Sequence, residues 1–334
     1  MSKTKALWLM TWLVILAWVI SACAPAQAPQ PTSTVAQLTS VEEHEAQLEP
    51  ASLGAGEKLQ VIATTNIVAD IVLQIGGDAI ELTSLLPLGA DPHTYTATPQ
   101  DVIAVTKAHV IFANGADLEG DFLPQLIQHT QAPVVYLSQG VELRKLGATE
   151  AEGDEHSDEG IDPHTWTTPH NAAVFVRNIE GALSTLDPGR AELYATHAQE
   201  YTAELTSLDT WVQEQIATIP PDRRKLITDH QVFGYYADRY GLEQIGAVIP
   251  SFSTAAQPSA QELAALEDKI RQYGVRTIFV GATVNPALAE QVAADTGIRV
   301  VTLYIESMGP PGSGVETYVD YIRYNTNAIV QGLR

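Results

Sequence analysis

Cysteine is almost missing from this chain: of 334 residues one is Cys, at position 23. An intrachain disulfide and a thiolate metal cluster are therefore excluded, and any metal site has to be built from imidazole and carboxylate. Basic residues are scarce as well. Lys and Arg number 18 against 40 Asp and Glu, a formal net charge of −22. That balance excludes nucleic acid as a partner, because phosphate binding needs a basic surface. An acidic body favours solubility and gathers cations around it. The apolar run Ala6–Ile20 is 15 residues long, short of the roughly 20 that a membrane-crossing helix needs. The HExxH and GxSxG patterns of zinc peptidases and serine hydrolases do not occur.

Lys3 and Lys5 precede the apolar run, which ends Ile20-Ser21-Ala22-Cys23. Residues 1–22 read as a signal peptide. The final tetrapeptide resembles the bacterial lipobox, whose cysteine receives lipid and becomes the first residue of the mature protein. An ordinary cleaved signal and an uncleaved anchor are the alternatives; the lipobox reading puts the protein outside the cytoplasmic membrane, lipid-anchored at Cys23. Residues 23–57, rich in Ala, Pro, Gln, Ser, Thr and Glu, read as a flexible tether that includes His44.

From Lys58 the pattern changes to short β-branched runs alternating with helical stretches. Strands are predicted at LQVIATT (59–65), ELTSLLP (81–87), HVIFANG (109–115) and PVVYLS (133–138), with Asn66 as the cap of the first helix and His109 as packed core. Thr98-Pro99 and Thr168-Pro169 open helices. After Asp187-Pro188 one long helix is predicted from about Gly189 to Thr218, with Leu193, Tyr194, His197, Tyr201, Leu205, Leu208, Trp211, Val212 and Ile216 along one face. Alternation resumes with strands at RKLIT (224–228), LEQIGAV (242–248), VRTIFV (275–280) and IRVVTL (298–303), and a closing helix follows from about Val315. Such alternation predicts parallel sheets with helical crossovers. The expected organisation is an α/β lobe over 58–187 carrying an acidic loop at 149–162, a linking helix over 188–220, and a second α/β lobe over 221–334. The loop holds seven acids and His156 and has no apolar periodicity; a solvated loop is its simplest reading.

Two nearly identical hexapeptides carry the chemistry. DPHTYT (91–96) and DPHTWT (162–167) lie 71 residues apart, each just before a helix start. Proline fixes its own φ and restricts the preceding Asp, so each turn presents its imidazole, His93 or His164, with little freedom left to lose. Two unrelated Asp-Pro turns are the bland alternative. His230 follows one predicted strand and Glu306 another, and ligands of open α/β sheets bind beyond the carboxyl ends of strands. His170 and His197 fall on helices with no partner in view.

With these motifs in hand the chain resembles the zinc and manganese solute-binding proteins of bacterial ABC importers, the TroA/ZnuA-like cluster A-I lipoproteins, over roughly Lys58 to Arg334. DPHTYTATPQD (91–101), DPHTWTTP (162–169), TDHQVFGYYADRYGL (228–242), SFSTAAQPSAQEL (251–263) and LYIESMG (303–309) are similar to its successive motifs. The resemblance implies that His93, His164, His230 and Glu306 hold one metal ion in a cleft between two lobes joined by a rigid helix, with little closure on binding. The fourth carboxylate is commonly Asp in that family; here it is Glu306. Zn2+ suits three imidazoles and one carboxylate, whereas Mn2+ favours more oxygen donors, and the family's manganese-selective members usually carry Glu where this chain has His230. The partners implied are an ABC permease and its ATPase subunit, with the protein a monomer and not an enzyme. A manganese or iron carrier, a surface adhesin, a zinc hydrolase and a siderophore binder are the competing readings. Replacing Cys23 with Ser is expected to release the protein from membranes or leave its precursor unprocessed, read by fractionation and mass spectrometry; unchanged retention and processing would contradict the anchor.

Overall fold

The computed structural model describes residues 48–54, 56–120, 122–145 and 160–334. The signal stretch, Cys23, His44 and His156 lie outside the described residues. Strands β1 (Leu59–Ala63), β2 (Ile80–Ser84), β3 (Val110–Ala113) and β4 (Val134–Tyr136) form a parallel sheet in the order β2-β1-β3-β4. Strands β5 (Lys225–Thr228), β6 (Glu243–Ala247), β7 (Thr277–Gly281) and β8 (Arg299–Leu303) form a second, in the order β6-β5-β7-β8. The two orders are the same layout used twice. Central strands β3 and β7 are buried at every position, as expected for a parallel sheet covered on both faces.

Helices fill the crossovers: α1 (Asn66–Gly76), α2 (Pro99–Val105), α3 (Phe122–Ile127), α4 (Pro169–Leu186), α5 (Ala191–Ala217), α6 (Gly234–Tyr240), α7 (Ala260–Tyr273), α8 (Ala287–Thr296) and α9 (Tyr318–Leu333). The two Thr-Pro starts form as predicted. Thr98 and Thr168 each cap their helix, and Asp101 reciprocates at Thr98. The cap of α1 differs from expectation. Thr65, in extended conformation, accepts the Val68 N–H at 3.1 Å, and Asn66 is already helical. The Asn66 amide instead crosses to the second lobe, donating to Ser307 Oγ at 3.1 Å and accepting the Met308 N–H at 2.9 Å. His109 is likewise not core. It precedes β3, is half-buried, and its Nδ1 accepts the Gln60 N–H at 2.8 Å.

Helix α5 runs 27 residues, about 40 Å at 1.5 Å per residue. Tyr194, Ala198, Tyr201, Leu205, Leu208, Val212 and Ile216 recur every three or four residues and are buried. The buried stripe is narrower than the sequence suggested. Leu193 is exposed, Trp211 lies under the Arg323 guanidinium, and the His197 ring donates to the Ile75 carbonyl at 2.9 Å. The helix packs on α1, α4, α6 and α9. One hydrophobic cluster runs from Leu59 and Ile71 through Leu205 to Phe279 and Tyr321, so both sheets share a core. Smaller clusters around Ile111 and Ile278 cover the other face of each sheet. Among the described residues no helix is long and apolar enough to cross a membrane.

Because Leu205 is fully buried in the shared cluster, Leu205→Ala is expected to cost about 2–5 kcal/mol. The loss should appear as one cooperative shift of the urea transition, followed by circular dichroism and tryptophan fluorescence together. Two separated transitions would mean that the lobes melt independently.

Candidate metal centre

Both DPHT turns fold alike at first. An Asp oxygen accepts the N–H of the histidine two residues on, Asp91 to His93 at 2.9 Å and Asp162 to His164 at 3.1 Å, the local bond that makes Asp a turn former. Beyond that they differ. Asp162 Oδ1 also accepts from the His164 ring Nδ1 at 2.8 Å. Asp91 turns its other oxygen to the Thr254 hydroxyl, at 2.5 Å, on the second lobe. His230, just past β5, repeats the first pattern with its immediate neighbour. Asp229 Oδ1 accepts the His230 N–H at 2.7 Å and its Nδ1–H at 2.8 Å, while Asp229 Oδ2 accepts the Gly281 N–H at 2.6 Å. A carboxylate on Nδ1 fixes tautomer and ring orientation and leaves the Nε2 lone pair facing inward. Glu306 follows β8.

These turns bring the four residues together. His164 Nε2 lies 3.3 Å from His93 Nε2 and 3.3 Å from His230 Nε2. Glu306 Oε1 lies 3.1, 3.5 and 3.7 Å from the Nε2 atoms of His230, His164 and His93. A tetrahedral ion bound at about 2.0–2.1 Å requires donor separations of about 3.3 Å, which these values bracket. His164, His230 and Glu306 are buried, and the His93 side chain, 6% exposed, is the outermost of the four. Glu306 Oε2 is buried without a hydrogen-bond partner among the described residues. Such an oxygen is costly unless something takes it up, and a cation among the four donors would do so. Among the described residues this is the one such cluster of His, Cys, Asp and Glu.

The two lobes meet around the cluster. Ser307, beside Glu306, accepts the Gly89 N–H at 2.8 Å on the loop that leads to His93. Trp166, two residues past His164, donates to the Tyr321 hydroxyl at 3.2 Å, and the Tyr318 hydroxyl donates to the Trp166 carbonyl at 2.7 Å. The Tyr235 hydroxyl donates to the Asp162 carbonyl at 2.8 Å. The four residues singled out from the sequence come together, but their supports carry no signal used there. Asp162 and Asp229 are those supports, and an acid just ahead of each histidine is the signal the sequence offers for them.

A model of the family described as zinc-uptake complex component A, periplasmic (ZnuA), matches residues 61–332. The manganese-binding lipoprotein MntA of Halalkalibacterium halodurans is 30% identical over 280 residues, covering 83% of this chain and 89% of that protein. A manganese ABC transporter substrate-binding lipoprotein, PsaA of Streptococcus mitis, is 31% identical over 287 residues, covering 84% and 90%. Among solved structures, the periplasmic zinc-binding protein TroA of Treponema pallidum superposes with a TM-score of 0.73 at 28% identity, over 83% of this chain and 99% of that one.

Charge inside the cluster is settled by its own members. Burial alone would raise the Glu306 carboxyl, but the hydrogen bond from His230 and the nearby His93 and His164 rings outweigh it and hold the group well below the usual carboxylate range. Burial pushes His164 below the ordinary imidazole value despite the pull of Asp162. His230 goes the other way: burial opposes its charge, yet Asp229 and Glu306 together raise it to about 10. At neutral pH the metal-free site therefore holds a proton on His230, facing Glu306. A metal ion needs that lone pair, so binding is expected to release about one proton per ion at pH 7.5. Affinity should accordingly rise about tenfold per pH unit until pH passes the raised His230 value. Calorimetry in buffers of different ionisation enthalpy measures the release; none at pH 7.5, with affinity flat from pH 7 to 9, would show that His230 enters as a neutral ligand.

Proposed function

We propose that this chain, which belongs to the ZnuA family of periplasmic zinc-uptake components, captures a divalent transition metal outside the cytoplasmic membrane and delivers it to an ABC importer. The observation that carries the reading is the closure of His93, His164, His230 and Glu306 to donor separations of 3.1–3.7 Å. Zinc is the ion proposed first, since three imidazole nitrogens and one carboxylate are its ordinary donors. Carriage rather than catalysis fits a shell in which four side chains surround the ion, because a hydrolytic zinc keeps a position for water. The proposal includes anchoring by lipid on Cys23, action as a monomer, and a permease with its ATPase as recipients.

One observation favours manganese as the second reading. Among the described residues Glu306 Oε2 has no hydrogen-bond partner, so the carboxylate can offer both oxygens, and manganese favours oxygen. The relatives MntA and PsaA carry manganese in their names. Elemental analysis of protein purified from its own host distinguishes the two readings.

Calorimetric zinc titration of single variants, with circular dichroism as the folding control, tests the site. His93→Ala, His164→Ala and His230→Ala should each weaken zinc by more than about 100-fold, the upper end of what loss of a supporting residue costs. Glu306→Ala should cost less if water fills the place, and Glu306→Asp should retain binding. If His93→Ala and His164→Ala both bind zinc like the parent, the metal-capture reading fails.

A further inference from the structure

One buried acid and one strained turn have no part in what precedes. Past β3 the chain runs Asn114-Gly115-Ala116-Asp117, and φ is positive at three successive residues: 80° at Gly115, 52° at Ala116 and 67° at Asp117. Among the described residues no other non-glycine has positive φ. The left-handed form costs Ala116 about 1–2 kcal/mol, and Asp117, of a type that tolerates it, less. A Cβ on residue 115 would fall 2.4 Å from Ser138 Oγ, so glycine is required there. What closes the turn is the carboxylate of Glu119, 4% exposed. Its Oε1 accepts the Thr64 hydroxyl and the Asn114 N–H, both at 2.7 Å, and its Oε2 accepts the Gly115 N–H at 3.0 Å.

The turn aims the fully buried side chain of Asn114. Nδ2 donates to the Pro163 carbonyl at 2.9 Å and to the Gly115 carbonyl at 2.8 Å, and Oδ1 accepts the Thr165 hydroxyl at 3.1 Å. Pro163 and Thr165 are the two neighbours of His164. The twin turn lacks this grip: among the described residues no side chain bonds Pro92 or Thr94, which flank His93. The difference matters because His164 Nε2 lies within 3.5 Å of all three other donors, so a shift of His164 disturbs every donor pair that includes it.

We propose that Asn114 is a positioning residue for His164, holding the backbone on one side and the hydroxyl on the other, and that Glu119 holds Asn114 by closing the strained turn. The inference rests on the reading of His164 as a metal ligand. Zinc affinity by competition with a chromophoric chelator, the visible bands of the cobalt(II) form, and the melting temperature of metal-free protein test it together. Asn114→Ala should weaken zinc about 10- to 100-fold, as loss of an outer support does, and shift the cobalt bands. Thr165→Val should do the same in smaller measure, and Thr165→Ser should restore the parental values. A lower melting temperature with unchanged affinity and unchanged cobalt bands would reduce Asn114 to a structural residue and overturn the proposal. If Asn114→Ala does not fold, the Thr165 pair decides: Val and Ser alike in both metal readouts overturn it. A parent that binds neither zinc nor cobalt defeats the metal-capture reading first, and this proposal with it.

Discussion

A carboxylate buried at 1% exposure is the constraint around which the molecule is arranged. Taking such a charge out of water costs several kcal/mol unless an opposite charge comes with it. Among the described residues no Lys or Arg pairs with Glu306; the groups that face it are three imidazoles. The compensating charge can therefore be a proton, which Asp229 and Glu306 draw toward His230, or a bound cation. Asp162 and Asp229 extend the same logic outward. Each grips the far nitrogen of one ring, so the face turned toward Glu306 is the one that can take up either.

That arrangement is useful only if the donors are held apart from one another at fixed distance, and they come from both lobes. The fold joins the two sheets on two sides. The shared cluster along α5 joins the sheets from behind, and the bonds from Asn66, Gly89 and Trp166 to Ser307, Met308 and Tyr321 tie them at the rim. A site assembled before its ion arrives loses little order on binding. His93 lies on the side nearest solvent and, among the described residues, has no carboxylate on its Nδ1, so its ring is the least constrained of the three.

Much of this was legible in the sequence, unevenly. The strands and both Thr-Pro helix starts were readable because each rests on neighbouring residues alone. His93 and His164 were readable because the same stiff turn occurs twice. His230 and Glu306 required resemblance as well, since a strand end followed by His or Glu is not rare. What escaped was decided at long range. Thr65 and Asn66 are both good caps, and the choice between them was made by Ser307, 241 residues away. Leu193 fits the periodic stripe of α5, yet it is exposed. Asn114-Gly115 reads as an ordinary turn. Its partners Pro163 and Thr165 stand about 50 positions on, and nothing local in Ala116 announces a left-handed backbone.

The continuity of α5 sets a rule for how a chain of this design can vary in length. Adding one residue to an α-helix rotates everything beyond it by about 100° and advances it about 1.5 Å. An insertion within Ala191–Ala217 would thus swing His230 and Glu306 away from His93 and His164, even if both sheets were left intact. The crossover between Lys145 and Ile161 is different. Its ends are pinned to each other by an antiparallel bridge, so residues can be gained or lost between them without moving either lobe. Drift in length is expected to accumulate there, while the helix keeps its residue count.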